Sequence, residues 1–123
     1  MTVGSVAALD GQTPASLDGI VTTAGNIVLV NNTGALTVSN GVSAGAAGNI
    51  LLQAAAGAIT LNSTGTVASG TGHISLNASG AITQKAGITT AGTGTIDVLA
   101  GAAIAMDDGT TSTAAHIRYA AGT

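Results

Sequence analysis

The sequence contains no cysteine, tryptophan or phenylalanine, and its only aromatic residue is Tyr119. Without cysteine the chain can form neither disulfides nor thiolate metal sites. A compact globule usually closes its core with large aromatic side chains. Here Ile, Leu, Val and Ala have to fill the interior, and that composition favours a narrow, regular cross-section.

Charge is scarce as well, since charged residues make up 6% of the 123 residues and five acids against two bases leave a net charge of −3. No basic stripe is available to follow a phosphate backbone, so we expect no nucleic-acid partner. No apolar run reaches about 18 residues, and the N-terminus lacks a basic segment followed by an apolar one. We therefore expect no membrane insertion and no export signal within this chain.

What the sequence does contain is a degenerate repeat. A first string centres on an isoleucine at positions 27, 50, 74, 96 and 117, in steps of 23, 24, 22 and 21 residues. Enrichment in Gly, Ala, Ser and Thr often marks disorder, but disordered chains lack aliphatic residues that recur on such a schedule. The period therefore indicates a repeat architecture in which each unit packs on its neighbours.

Two further strings share this period. The second begins at Gly34, Gly57, Gly80 and Gly101, and the third at Gly19, Gly41, Gly65 and Gly87. Each period therefore carries three short segments, and within them the aliphatic residues alternate with a strand period of two. This predicts an all-β fold: a right-handed parallel β-helix (β-solenoid) with three short strands per coil and about five coils of 21–24 residues.

Stacking equivalent segments about 4.8 Å apart makes three parallel sheets around one aliphatic column, with glycines at the corners. Residues 1–18, which contain the only proline, Pro14, are predicted to form an irregular first coil or N-terminal cap. Residues 19–123 are predicted to form the solenoid, and Tyr119 to plug its last coil. The predicted core ladder consists of Ile27, Ile50, Ile74, Ile96, Ile117, Leu36, Ile59, Ile82 and Ile104.

The strings Gly-Asn-Ile-x-Leu at residues 25–29 and 48–52 and Gly-Ala-Ile-Thr-Leu at residues 57–61 carry a family resemblance. With three strands per coil and little charge, they resemble the repeats of filamentous-haemagglutinin-like and autotransporter adhesins of bacteria. The resemblance covers residues 19–119. It implies a length of rod in a secreted or cell-surface stalk or adhesive fibre, with the export signal outside this chain and a host-surface or carbohydrate receptor as candidate partner.

Enzyme chemistry is not expected, because the acids and bases are dispersed and no nucleotide fingerprint is present. We expect no cofactor. His73 and His116 fall on one outward rank with Thr95 between them, roughly 9–10 Å apart, which is too far to share a metal. Asp107 and Asp108 before a glycine are weak candidates for a cation site, but the repeated ladder of calcium-binding β-rolls is missing, so a plain turn is favoured.

Several outward side chains are predicted to make structural contacts between neighbouring coils. Asp97 and Arg118 occupy the same position of adjacent coils, which predicts a cross-coil ion pair. Asn26 and Asn49 are predicted to hydrogen-bond to each other through their side-chain amides. An outward rank of threonines has the small, flat character of ice-binding solenoids, although the β-propensity of threonine explains it without a ligand. This rank consists of Thr37, Thr60 and Thr83.

The sequence is compatible with three different functions. The first is a non-catalytic rod segment of a bacterial adhesin or stalk. The second is a filament subunit whose open coil ends stack head to tail on other copies, because unpaired strand edges at each end have to be covered or paired. The third is a surface that binds ice or polysaccharide through the threonine rank.

Overall fold

The computed structural model describes residues 1–7 and 16–122, and all the regular elements among them are β-strands. Residues 8–15, with Pro14, lie outside the described residues, as does Thr123. None of the described segments is a helix that could span a membrane. The strands are β1 (Thr2–Val3), β2 (Ser5–Ala7), β3 (Ser16–Asp18), β4 (Ile20–Thr22), β5 (Ile27–Asn31), β6 (Leu36–Val38), β7 (Val42–Ala44), β8 (Ile50–Ala54), β9 (Ile59–Leu61), β10 (Val67–Ser69), β11 (Ile74–Ala78), β12 (Ile82–Gln84), β13 (Ile88–Thr89), β14 (Thr95–Ala100), β15 (Ile104–Met106), β16 (Ser112–Thr113) and β17 (His116–Ala121).

Three five-stranded parallel sheets surround one core. Sheet 1 has the strand order β5-β8-β11-β14-β17, sheet 2 the order β1-β6-β9-β12-β15, and sheet 3 the order β4-β7-β10-β13-β16. From β4 onward the chain visits sheets 3, 1 and 2 in turn, so each coil contributes one strand to every sheet. The β-solenoid with three strands per coil is thereby confirmed, and the four steps between the five strands of each sheet correspond to about four full turns.

The first eighteen residues contribute to the solenoid in part. Strand β1 extends sheet 2 by pairing with β6, with Thr2 opposite Thr37. Strands β2 and β3 pair antiparallel with each other, outside the three parallel sheets. Gly19 then donates a backbone hydrogen bond to Gly4 O at 3.1 Å, so the chain resumes the coil close to where it left it.

The core is the column predicted from the alternating aliphatic residues. The first string stacks in register in sheet 1 and the second in sheet 2, so equivalent side chains lie above one another. Ile104 is half-buried and packs against the core, whereas Ile117 is 44% exposed, because among the described strands β17 has a neighbour on one side only. This corrects the expectation for Ile117. The remaining predicted members are buried: Ile27, Ile50, Ile74, Ile96, Leu36, Ile59 and Ile82.

Glycine and hydroxyl side chains build the corner between sheets 3 and 1. A Cβ at Gly72 would lie 2.2 Å from the carbonyl oxygen of Gly48 in the preceding coil, so the stacking leaves no room for a side chain there. The buried Ser69 hydroxyl donates to Gly48 O at 2.7 Å and accepts from Gly72 N at 2.9 Å. Thr90 repeats the first bond one coil later by donating to Gly72 O at 2.7 Å. These bonds satisfy polar groups that would otherwise be costly to bury.

Candidate functional surfaces

The outward threonines form one continuous rank on sheet 2. Thr37 lies opposite Thr60, and Thr60 lies opposite Thr83, each half-buried in a three-residue strand. Thr2 adds a fourth member at the β1 end, and Ala105 follows Thr83 at the other. Thr2 was not among the predicted members, although Met1-Thr2-Val3 has the same pattern as Leu36-Thr37-Val38. Because each strand supplies only one outward central residue, the rank is a single line of hydroxyls.

The predicted cross-coil ion pair is present on the outer face of sheet 1. Arg118 donates from Nε to Asp97 Oδ1 at 2.7 Å and from Nη2 to Asp97 Oδ2 at 2.8 Å, in the bidentate geometry that suits guanidinium and carboxylate. The hydrogen bonds from Arg118 lower the pKa of Asp97 below its usual value. Both side chains are well exposed to solvent, so screening limits what the pair adds to stability.

A second rank on sheet 1 connects the coils through side chains that bind backbone. Asn49 N donates to Asn26 Oδ1 at 2.8 Å, and His73 N donates to Asn49 Oδ1 at 2.8 Å. The prediction of amide-to-amide bonds is therefore corrected, because each amide oxygen receives the main-chain N–H of the next coil. His73 Nδ1 in turn lies 2.8 Å from Thr95 Oγ1. The hydrogen bonds along this rank connect neighbouring coils.

No metal centre is assembled in the part of the chain that the structure describes, where no group of three or more His, Cys, Asp or Glu residues converges. His73 and His116 are separated along their rank by Thr95, which pairs with His116. Asp107 and Asp108 lie in the exposed turn after β15, where Thr110 N donates to Asp107 O at 3.1 Å. The geometry of these two aspartates is that of a turn.

The end of the solenoid formed by β15, β16 and β17 contains a polar cluster inside the core. The Tyr119 hydroxyl donates to Gln84 Oε1 at 2.6 Å and lies 2.6 Å from Ser112 Oγ. Gln84 Nε2 donates to Ser112 Oγ at 3.0 Å and to Ala86 O at 3.1 Å. Gln84 is fully buried and Tyr119 half-buried. We call Gln84, Ser112 and Tyr119 the polar end cluster.

The polar end cluster contains one inward-facing residue from each of the three sheets. Tyr119 pairs with the buried Val98, Ser112 pairs with the buried Ile88, and Gln84 pairs with the buried Leu61 one coil below. In the last two coils the aliphatic column therefore includes hydrogen-bonded polar groups, Gln84 in the coil before the last and Ser112 and Tyr119 in the last. The sequence predicted that Tyr119 plugs this coil, but its two partners were missed, since Gln84 and Ser112 are 28 residues apart and neither belongs to a recognisable motif.

The opposite end, formed by β1, β4 and β5, is apolar. An open cavity of about 430 Å³ lies there, lined by Met1, Thr2, Val3, Gly4, Gly19, Ile20 and Leu29. The outer face beside it exposes Val28 and Val30. Leu51, which pairs with Val28 one coil further in, is half-buried. The two ends of the molecule thus differ in chemistry.

Comparisons with protein-family models, with curated proteins and with solved structures find no match for this chain.

Proposed function

We propose that the chain is a non-catalytic structural segment of a secreted or cell-surface bacterial adhesin or stalk fibre. The observation that supports it best is the in-register continuation of all three sheets through every described coil. A shape of this kind can be lengthened coil by coil without changing its cross-section. In such a fibre the rod holds other parts of the protein at a distance from the cell surface. Those parts contact a host-surface or carbohydrate receptor.

The lateral surfaces also support a spacer role. No Asp, Glu, Lys or Arg occurs between residues 19 and 84, and the outward side chains there include threonines, amides and the exposed Val21, Val28 and Val30. Recognition of charged substrates and general acid–base chemistry both require clustered ionisable groups. Such a surface is suited to separating other parts of a protein.

The proposal is tested by locating the protein on the bacterium that makes it. Antibodies raised against the purified chain should label intact cells, with gold particles held away from the outer surface in electron micrographs. Externally added protease should remove that label, while a cytoplasmic marker stays intact. Label that appears only after the cells are lysed would contradict a surface location and therefore the stalk.

The second candidate function is a filament subunit that stacks head to tail on other copies. It is favoured by the strand edges, because each of the three sheets ends, within the described residues, on a strand with a single neighbour. Free edges of this kind pair readily with another chain. Electron microscopy of the purified chain should then show fibres of uniform width, whereas a monodisperse monomer at all concentrations excludes the filament.

A further inference from the structure

The two ends of the solenoid present complementary sets of strands. Among the described residues, β1, β4 and β5 are the outermost strands of sheets 2, 3 and 1 at one end, and β15, β16 and β17 occupy the same places at the other. Each set is one complete coil. A second copy placed on the β17 end therefore meets every free edge with a parallel edge of the same sheet, which repeats the pairing that already joins neighbouring coils within the chain.

Both ends of the solenoid expose apolar groups. Met106 and Ile117 occupy inward positions of β15 and β17 but are 43% and 44% exposed, because no further coil lies above them among the described residues. The opposite end holds the cavity of about 430 Å³, with Val3, Ile20 and Leu29 in its lining. Seating the exposed side chains over this cavity removes apolar surface from water on both sides.

The polar end cluster does not oppose this contact. The Tyr119 hydroxyl is already bonded to Gln84 and Ser112, and no buried polar side-chain atom of the described residues lacks a partner. Burying the tyrosine ring therefore leaves no new group unsatisfied. Arg118 meets no like charge in the strand pairing of sheet 1, because β5 contains no charged residue, and the Met1 ammonium beside β1 in sheet 2 is bonded to Ala35 O at 2.7 Å.

We propose that the β17 end of one copy docks on the β5 end of the next in one defined register. This inference rests on the second candidate function and specifies its joint. Within the chain each isoleucine of the first string pairs with the next one, so the joint places Ile117 opposite Ile27 of the next copy. Tyr119 then covers Leu29 of the next copy, and Ala120 lies beside Val30 of the next copy.

A pair of introduced cysteines tests this register, since the chain has no native cysteine. Ala120→Cys and Val30→Cys in one full-length chain place thiols on outward positions of strands that are in contact only if the joint forms. Paired strands hold Cα atoms about 4.8 Å apart, which is within the 4.4–6.8 Å that a disulfide spans. Mild oxidation should then give a ladder of covalent multimers on a non-reducing gel.

The matched control carries Ala120→Cys with Val21→Cys. Val21 is also exposed and also lies on an outermost strand, but it belongs to sheet 3, so the joint keeps it away from Ala120. Thiols held together react at an effective concentration in the millimolar range, so at micromolar protein we expect about tenfold more multimer from the first variant. Circular dichroism verifies that both variants keep the β fold of the parent.

The outcomes separate this joint from the filament function. Equal multimer yields from the two double variants overturn the proposed register. Dimers from a variant that carries Val30→Cys alone also overturn it, because they would show that two β5 ends are in contact. If the parent chain still forms uniform fibres in that case, the filament function stands with another joint. If the parent chain is monomeric at every concentration, both fail and the stalk proposal is unaffected.

Discussion

At the scale of single residues, the stacking of the coils constrains two of the corner glycines directly. Gly72 and Gly94 lie where the carbonyl oxygen of the preceding coil occupies the space that a Cβ needs, at 2.2 and 2.6 Å. The requirement comes from coil stacking and not from backbone conformation, since neither glycine has a positive φ. Outward positions have no comparable constraint, so Asn, His and Thr replace one another along a rank.

Substituting Gly72→Ala should destabilise the chain by about 2–3 kcal/mol, because the new methyl group forces two coils apart. Gly87→Ala is the matched control, since its Cβ would have no neighbour nearer than 3.5 Å and should change the free energy of unfolding by less than about 0.5 kcal/mol. Urea denaturation measures both. Similar losses from the two substitutions would show that the close approach of coils is not the cause.

The Asp97 carboxylate makes part of the stability depend on pH. Its pKa is lowered in the folded state by the hydrogen bonds from Arg118, so its contribution is present above the unfolded value of 3.8 and is lost as the pH falls through the folded value. Asp97→Asn should therefore lower the melting temperature slightly at pH 7 and leave it unchanged near pH 2. The control is Asp107→Asn, which removes an exposed carboxylate outside the ion pair. A loss for Asp97→Asn that persists at pH 2 would contradict this origin.

At the scale of elements, the last coil differs from the interior ones in how it closes the core. Interior strands such as β8 and β11 bury every second residue, whereas β15 and β17 leave inward side chains exposed. The polar end cluster compensates by linking one residue from each sheet through short hydrogen bonds. Hydrogen bonds and aliphatic packing thus both stabilise this end of the solenoid.

A double-mutant cycle measures the polar end cluster. Tyr119→Phe leaves Gln84 Oε1 without its donor and should cost about 1–3 kcal/mol. Gln84→Leu, which continues the aliphatic rank of Leu61, removes the acceptor instead. Measured in a Ser112→Ala background, which removes the hydroxyl of the third cluster member, the double variant should cost less than the sum of the two single ones by about 1 kcal/mol, because neither orphaned group remains. Strictly additive losses by urea denaturation would show that the two side chains do not act together.

At the scale of the whole molecule, each interior coil of the described residues packs on two neighbouring coils, and each end coil packs on one. The sheet order and register are uniform from β5 to β17, so stability should follow position along the axis. The ends also differ, since one is apolar with an open cavity and the other carries the polar end cluster.

Hydrogen exchange at low protein concentration should reveal this gradient. Backbone amides of β8, β11 and β14 should exchange slowest, and those of β5 and β17 fastest, because central strands open only when two interfaces are lost. At concentrations where copies stack, protection of β5 and β17 should rise toward that of the centre. Uniform protection along the axis in the monomer would contradict a nearest-neighbour solenoid.

Much of this architecture could be predicted from the repeat. The spacing of Ile27, Ile50, Ile74 and Ile96 was enough to place four strands of one sheet in register, and Asp97 with Arg118 followed from the same count. Thr2 and the partners of Tyr119 were not found, because β1 precedes the regular repeat and the cluster joins residues from three different sheets. A periodic pattern describes what each coil shares and contains no information about its exceptions.

The amino-acid sequence by itself determined the fold class, the three strings per coil and the aliphatic column, since a strand period of two and a coil period of about 22 residues are both local, repeated signals. Only the tertiary structure decided the character of the ends. Whether an inward side chain such as Ile117 is buried depends on what stacks upon it, and whether Gln84 can be buried depends on partners brought in from other sheets. Burial and hydrogen-bond satisfaction are properties of the packed coils, so they follow from the stacking and not from the repeat.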